Sequence, residues 1–164
     1  MTVKEYNQSV TDYADALFRF LVGNLREKEK AEDITQETYA KLWIKLETVS
    51  YEKVKSYLFT TAYHTMIDWI RKEKRMVFIE DTNTEEPFLT EEVSDLNEIL
   101  HQAIQRLPED QRSVILLRDY EGYSYKEIAE ITGLTESQVK VYIYRGRMFL
   151  KNYIGSIETC LLYT

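Results

Sequence analysis

The chain has 164 residues and a formal net charge of −7, with 44% hydrophobic and 30% charged residues, five Gly, two Pro and one Cys. Such a composition excludes a disordered chain and describes one ordinary folded domain or two small ones with few tight turns. No apolar run reaches the roughly 18 residues of a membrane span, the opening MTVKEYNQSV lacks the apolar core of a signal peptide, and the lone Cys160 allows no internal disulfide, so a cytoplasmic protein without membrane insertion is expected.

The acid is unevenly spread. Residues 1–76 carry net +1, residues 77–98 hold eight acids and no base, and residues 99–164 are balanced. One segment therefore accounts for the whole deficit, and either flank could present a basic patch to phosphate.

Residues 5–25 bring Tyr13, Leu17, Phe20 and Leu21 to one face and predict a first helix or helix pair, with Gly23-Asn24 as its break or end. Residues 29–47 predict a second helix, with Ile34, Tyr39, Leu42, Trp43 and Leu46 inward and Glu32, Asp33, Gln36, Glu37 and Lys41 outward. Residues 54–75 predict a long third helix, bent or broken near its middle. Its inner stripe is Val54, Tyr57, Leu58, Thr61, Thr65, Trp69 and Ile70, with Phe59 and Tyr63 off the stripe. Its end is basic (Arg71, Lys72, Lys74, Arg75), which already suits a helix C-terminus on dipole grounds alone.

Residues 77–94 lose periodicity, turn acidic and contain Pro87. They predict a linker, or a loop anchored by Val77, Phe78, Ile79, Phe88 and Leu89. Residues 95–106 predict a helix with Leu96, Ile99, Leu100 and Ala103 inward. Leu107-Pro108-Glu109-Asp110 opens another, with Pro at its first position and Val114, Ile115, Leu117 and Tyr120 on its inner face. Ser124 with Glu127, and Thr135 with Gln138, then form two capping boxes flanking Gly133, a residue suited to the positive φ of a helix end. Ile128, Ala129, Leu134, Val139 and Ile143 supply the inner face. This is the layout of a helix-turn-helix, and its second helix carries Lys140, Arg145, Arg147 and Lys151 against the single acid Glu136. A capped helical hairpin with a solvated basic face would show the same pattern. The tail after Gly155, SIETCLLYT, carries no clear signal. The fold class expected is all-α: two small helical modules, 1–76 and 95–154, joined by an acidic linker over 77–94 and followed by a tail over 155–164.

The stretches AEDITQETYAKLW (31–43) and LPEDQRSVILLRDYEGYSYKEIAEITGLTESQVKVYIYRGRMFLK (107–151) resemble bacterial RNA polymerase sigma factors, in particular the small two-domain extracytoplasmic-function group. The resemblance covers nearly the whole chain in order, and it implies a division of labour. Asp33, Gln36 and Glu37 match the family positions that dock on the polymerase largest subunit, where carboxylates and an amide can pair with Arg. The third helix resembles the part that reads and melts the −10 element. Tyr63, His64 and Asp68 match its base-reading positions, Lys55 lies in the loop of its flipped-base pocket, and Arg71, Lys72 and Arg75 could hold the backbone. Phe59 and Tyr63 are equally suited to stacking on bases and to core packing. His64 stands where the family often has Asn, and Thr60-Thr61 replace its usual Arg-Ile pair.

The helix-turn-helix then becomes the −35 reader, through Thr135, Ser137, Gln138, Lys140, Val141, Tyr144 and Arg145, with Arg147 nearby. Gln138 can bond adenine, and Lys140 or Arg145 guanine or phosphate. Val141 and Tyr142 stand where many relatives carry a small polar residue and Arg, which predicts a departure from the common −35 sequence. The implied partners are core RNA polymerase, promoter DNA and an anti-sigma factor. With two His, one Cys, no glycine-rich phosphate loop and no metal-ligand spacing, no enzyme activity, metal or cofactor is expected. Two other classes stay open: a stand-alone helix-turn-helix regulator, disfavoured by the 31–43 helix, and an interaction protein that reads no DNA, in which Lys140 and Arg145 would be dispensable.

Overall fold

Thr2 opens the chain's first helix. In the computed structural model, which describes residues 1–80 and 96–163, with side chains described over 1–76 and 96–156, α1 spans Val3–Leu25. The Thr2 hydroxyl accepts from the Glu5 N–H at 3.1 Å while the Glu5 carboxylate accepts from the Thr2 N–H at 3.0 Å, so the helix starts earlier than its apolar periodicity suggests. It runs through Gly23-Asn24 and ends at Arg26, a non-glycine residue in the left-handed region with φ 54°. Gly23-Asn24 thus lies in the last turn, marking the end of α1 rather than a break within it, and it is also a contact point. A Cβ at Gly23 would stand 3.1 Å from the Leu116 side chain, and the buried Asn24 accepts from Ser113 Oγ at 2.9 Å.

Helix α2 (Lys28–Ile44) buries Ala31, Ile34, Thr38, Tyr39 and Leu42. The Tyr39 hydroxyl donates to the Ser9 carbonyl at 2.9 Å, tying α2 to α1. Trp43, expected inward, is 50% exposed and makes a T-shaped contact with Tyr6 at the margin of the α1–α2 packing. Leu46 lies past the helix end and is half-buried.

Helix α3 (Val54–Glu80) is continuous, with no break at its middle, and it runs four residues past position 76. Its buried residues are Val54, Leu58, Phe59, Ala62, Tyr63, Met66, Ile67 and Ile70, while Tyr57, Thr61, Thr65 and Trp69 are only half-buried. The inner arc is rotated and widened because α3 packs on α1 and α2 along one side and on a later helix, α6 (Tyr125–Thr132), along the other. One periodic stripe cannot report two partners. The remainder of the acidic stretch, and the side chains of Val77, Phe78, Ile79, Phe88 and Leu89, lie outside what is described.

Helix α4 (Leu96–Gln105) buries Ile99, Ala103 and Ile104, whereas Leu96, in its first turn, is 65% exposed. Pro108 sits just before α5 (Glu109–Ile115) rather than inside it, and both acids occupy the first turn. The chain then makes one π turn, Leu116–Tyr120, with the Glu121 N–H donating to the Leu116 carbonyl at 3.1 Å. The extra residue in that turn keeps Leu116 and Leu117 both inside and swings Tyr120, expected inward, to 40% exposure.

Both capping boxes of the hairpin are formed, and Gly133 takes φ 78° between α6 and α7 (Glu136–Tyr163). Helix α7 continues into the segment expected as a tail. Where it crosses α5, a Cβ on Gly146 would stand 2.9 Å from Ile115 Cγ1. Gly146→Val should therefore overpack this crossing and lower stability by about 1–3 kcal/mol, read as a fall in urea midpoint at unchanged slope. Among the described residues there is no strand, and residues from α1–α3 and α4–α7 share one hydrophobic core.

Candidate polymerase and nucleic-acid interface

On α2, the outward side is rich in acids, with Glu29, Glu32, Asp33 and Glu37 exposed. Asp33, Gln36 and Glu37 are all exposed, within about one turn of each other. Glu37 pairs with Lys41 at 3.3 Å, but both side chains are about half exposed, and such an i, i+4 pair is readily exchanged for another cation. The face continues through exposed Ala40 to Ile44, which is 82% exposed. Sequence reasoning missed this apolar end. The spacing from Asp33 to Glu37, Ala40 and Ile44 was the available signal.

On α3, His64, Asp68, Arg71, Lys72 and Arg75 are exposed and fall along one face at helical spacing. Phe59 and Tyr63 do not join them. Phe59 has no exposed surface and sits between Phe20, 5.7 Å away, and Tyr123, 5.2 Å away. Tyr63 is 6% exposed, and its hydroxyl is pushed up to about 12 by burial and then by the charges of Asp110 and Glu109. As packed here, neither ring offers a face to a base. Lys55 is exposed, but its ammonium lies 4.5 Å from the centre of the Tyr123 ring.

On the hairpin, Val139 and Ile143 anchor α7 in the core while Thr135, Ser137, Gln138, Lys140, Val141, Tyr144 and Arg145 stay outside it, all of them exposed. Gln138 is partly committed: its amide oxygen accepts from the Thr135 N–H at 2.9 Å, leaving its NH2 group to donate outward. Val141 and Tyr142 part company, Val141 at 42% exposure and Tyr142 packed against the core. Arg147 forms a bidentate pair with Asp119, which raises the guanidinium's pKa, and it is half exposed.

Two residues missed from the sequence stand beside this surface. Tyr125, the first residue of α6, carries the Arg118 guanidinium 4.6 Å and the Lys140 ammonium 5.7 Å from its ring centre. Arg118 also donates to the Tyr123 carbonyl at 2.9 Å. Lys140 and Arg147 share α7, two turns apart, and Arg118 joins them from the π turn, so no single local pattern announces all three as one basic rim.

Polar contacts also cross between the first three helices and the last four. Arg19 makes two 3.0 Å bonds to Glu121, Arg26 meets Glu98 at 3.0 Å, Lys74 meets Glu109 at 3.5 Å, and Gln105 donates to the Gly23 carbonyl at 2.6 Å. Among the described residues no cluster of three or more His, Cys, Asp or Glu could hold a metal ion, and no helix is long and apolar enough to cross a membrane.

Residues 9–76 match the family profile described as Sigma-70 region 2, and residues 97–150 that described as Sigma-70, region 4. The ECF RNA polymerase sigma factor SigM of Bacillus subtilis (strain 168) is 31% identical over 92% of this chain and 94% of its own length. RNA polymerase sigma factor SigV of the same organism is 32% identical over 87% and 86%. Among solved structures, the sigma factor RpoE in complex with the anti-sigma factor NepR from Bartonella quintana superposes with a TM-score of 0.77 at 27% identity, covering 93% of this chain and 98% of that one. CnrH, solved with the cytosolic domain of CnrY, shares the fold with a TM-score of 0.67 at 20% identity, covering 92% of this chain and 88% of that one. With both sigma-70 regions present in order and relatives matched along nearly their whole length, the chain belongs to the extracytoplasmic-function group of bacterial RNA polymerase sigma factors.

Proposed function

We propose that this sigma factor, which directs core RNA polymerase to promoters, does so with three surfaces on two modules, 1–76 and 95–154. The α2 face of Asp33, Gln36 and Glu37 docks on a basic surface of core polymerase. The α3 face of His64, Asp68, Arg71, Lys72 and Arg75, with Lys55, Phe59 and Tyr63, takes the −10 element and helps to separate its strands. The N-terminal half of α7 reads the −35 element in the major groove, with Arg118, Lys140 and Arg147 toward its phosphates. Bond making is left to the polymerase, the site of action is the cytoplasm, and an anti-sigma protein holds the chain in reserve.

The observation that carries this reading is the hairpin. Its caps are formed, its apolar side chains are buried, and the side chains at the start of α7 are left facing solvent with a basic rim beside them. Run-off transcription with purified core polymerase tests it, and promoter-specific starts are expected. Their absence with every core tried would overturn it. Lys140→Ala and Arg145→Ala should each weaken promoter binding. For every phosphate no longer neutralised, the slope of log K against log salt should flatten by about 0.9. Gln138→Glu keeps an oxygen for the Thr135 cap but replaces the outward donor with a carboxylate. It should preserve stability while lowering −35 affinity at least tenfold, measured on matched duplexes.

A further inference from the structure

We propose that the cavity between the end of α1, the start of α4 and the π turn is a binding site for a small amphiphilic carboxylate, an aliphatic or aromatic body carrying one anionic head. The site is separate from the three surfaces assigned above to polymerase and promoter, and it gives the chain an input of a different chemical class.

The cavity has a volume of about 410 Å³, within the roughly 300–1,000 Å³ typical of small-molecule pockets. Phe18, Phe20 and Val22 of α1 line it together with Leu116 and Tyr120 of the π turn, so its walls are apolar. A Cβ at Gly23 would stand 3.1 Å from the Leu116 side chain, so the missing side chain leaves room for Leu116 to form part of the wall. The extra residue of the π turn brings Tyr120 out of the core to the cavity, and single π turns within helical stretches recur at functional sites. Apolar walls left to water favour an apolar occupant.

The polar groups around the cavity decide the head. Two ion pairs cross it, Arg19 with Glu121 and Arg26 with Glu98. Their acids are already taken. Both Glu121 oxygens accept from Arg19 at 3.0 Å and its side chain is only 6% exposed, while Glu98 accepts from Arg26 at 3.0 Å and also from Gln102. Their cations keep donors in hand. Among the described residues Arg19 gives two N–H groups to Glu121 and Arg26 gives one to Glu98, and a guanidinium carries about five. Both side chains reach solvent, and exposed His101 on α4 stands in the same lining. Spare donors beside acceptors already engaged select an anion over a cation, and the flat guanidinium fork matches a carboxylate. The tail then lies against Phe18, Val22 and Leu116, with the head at Arg26.

Decanoate is the probe, with decanol and decylammonium as its neutral and cationic counterparts, each titrated calorimetrically into the full chain below its micelle concentration. One decanoate should bind per chain, at least fivefold more tightly than decanol and at least tenfold more tightly than decylammonium. The urea midpoint should rise with decanoate concentration, as for any ligand that binds only the folded chain. Arg26→Gln should weaken decanoate at least fivefold and leave decanol unchanged, which separates the head from the wall. Val22→Trp, which fills the cavity, should abolish binding of both. His101→Trp, at an exposed position of the lining, serves as the filling variant should circular dichroism show Val22→Trp unfolded. Binding that does not saturate, equal affinity for decylammonium, or an unchanged decanoate affinity in a folded filling variant overturns the proposal.

Discussion

Phe59→Ala is expected to lower the unfolding free energy by about 3–5 kcal/mol, the range for deleting a fully buried phenyl ring. The ring has no exposed surface and touches Phe20 in α1 and Tyr123 from the second half, so no single neighbour can collapse into the space it leaves. Against a typical total of about 5–15 kcal/mol, the variant should be close to unfolding at physiological temperature. Phe59→Leu keeps much of the apolar volume and should lose clearly less. Urea unfolding followed by far-UV circular dichroism measures both. A loss below about 1 kcal/mol for the alanine variant would mean that Phe59 is not held in the shared core.

Asp33→Arg should have the opposite profile. Asp33 is exposed at one end of the α2 face and supports no packing, so stability should change by no more than about 0.5 kcal/mol. Affinity for core polymerase should fall at least tenfold, because a cation now faces a basic partner and like charges across an interface cost several kcal/mol. Competition for core against a labelled sigma factor reads this directly. Unchanged competition by both Asp33→Arg and Glu37→Arg would remove α2 as the dock. Because the fold does not depend on these side chains, a weaker competitor cannot be blamed on unfolding.

The parts of this structure that were legible in the sequence are those decided within one helical turn. Ser124 with Glu127 and Thr135 with Gln138 cap their own helices, Gly133 takes the positive φ its position requires, and Leu17, Phe20 and Leu21 or Ile34, Tyr39 and Leu42 keep to one face. The outward acids of α2 and the outward polar start of α7 follow from the same local logic. What stayed hidden depends on what lies across from a helix. Phe59 and Tyr63 fall off the single stripe the sequence shows, and they are buried because α6 and its flanking residues cover a second side of α3 while Phe59 also reaches Phe20 in α1. Trp43 packs in a T-shaped contact with Tyr6 and stays half exposed, and Tyr120 is turned out by a π turn that no local pattern marked. Gly23 and Asn24 read as the break or end of α1, which stops at Leu25, but that α1 also meets α5 and Leu116 there was hidden. Tyr125 with Arg118 and Lys140 is likewise a meeting of residues from three places.

The double duty of Gln138 limits how promoter choice can change over generations. The same amide holds the first turn of α7 with its oxygen and leaves outward the nitrogen proposed above to read a base. On the proposed −35 role, a substitution at this position that reads a different base also rewrites the start of the helix that carries the other side chains assigned to the bases. Glu is the replacement that spares the cap, and most others would loosen it. On the same proposed role, a shift in −35 preference is expected to come more easily at Ser137, Val141 and Tyr144, whose side chains are exposed and take no part in the cap. Position 138 is the slow site of this reader, and its neighbours are the fast ones.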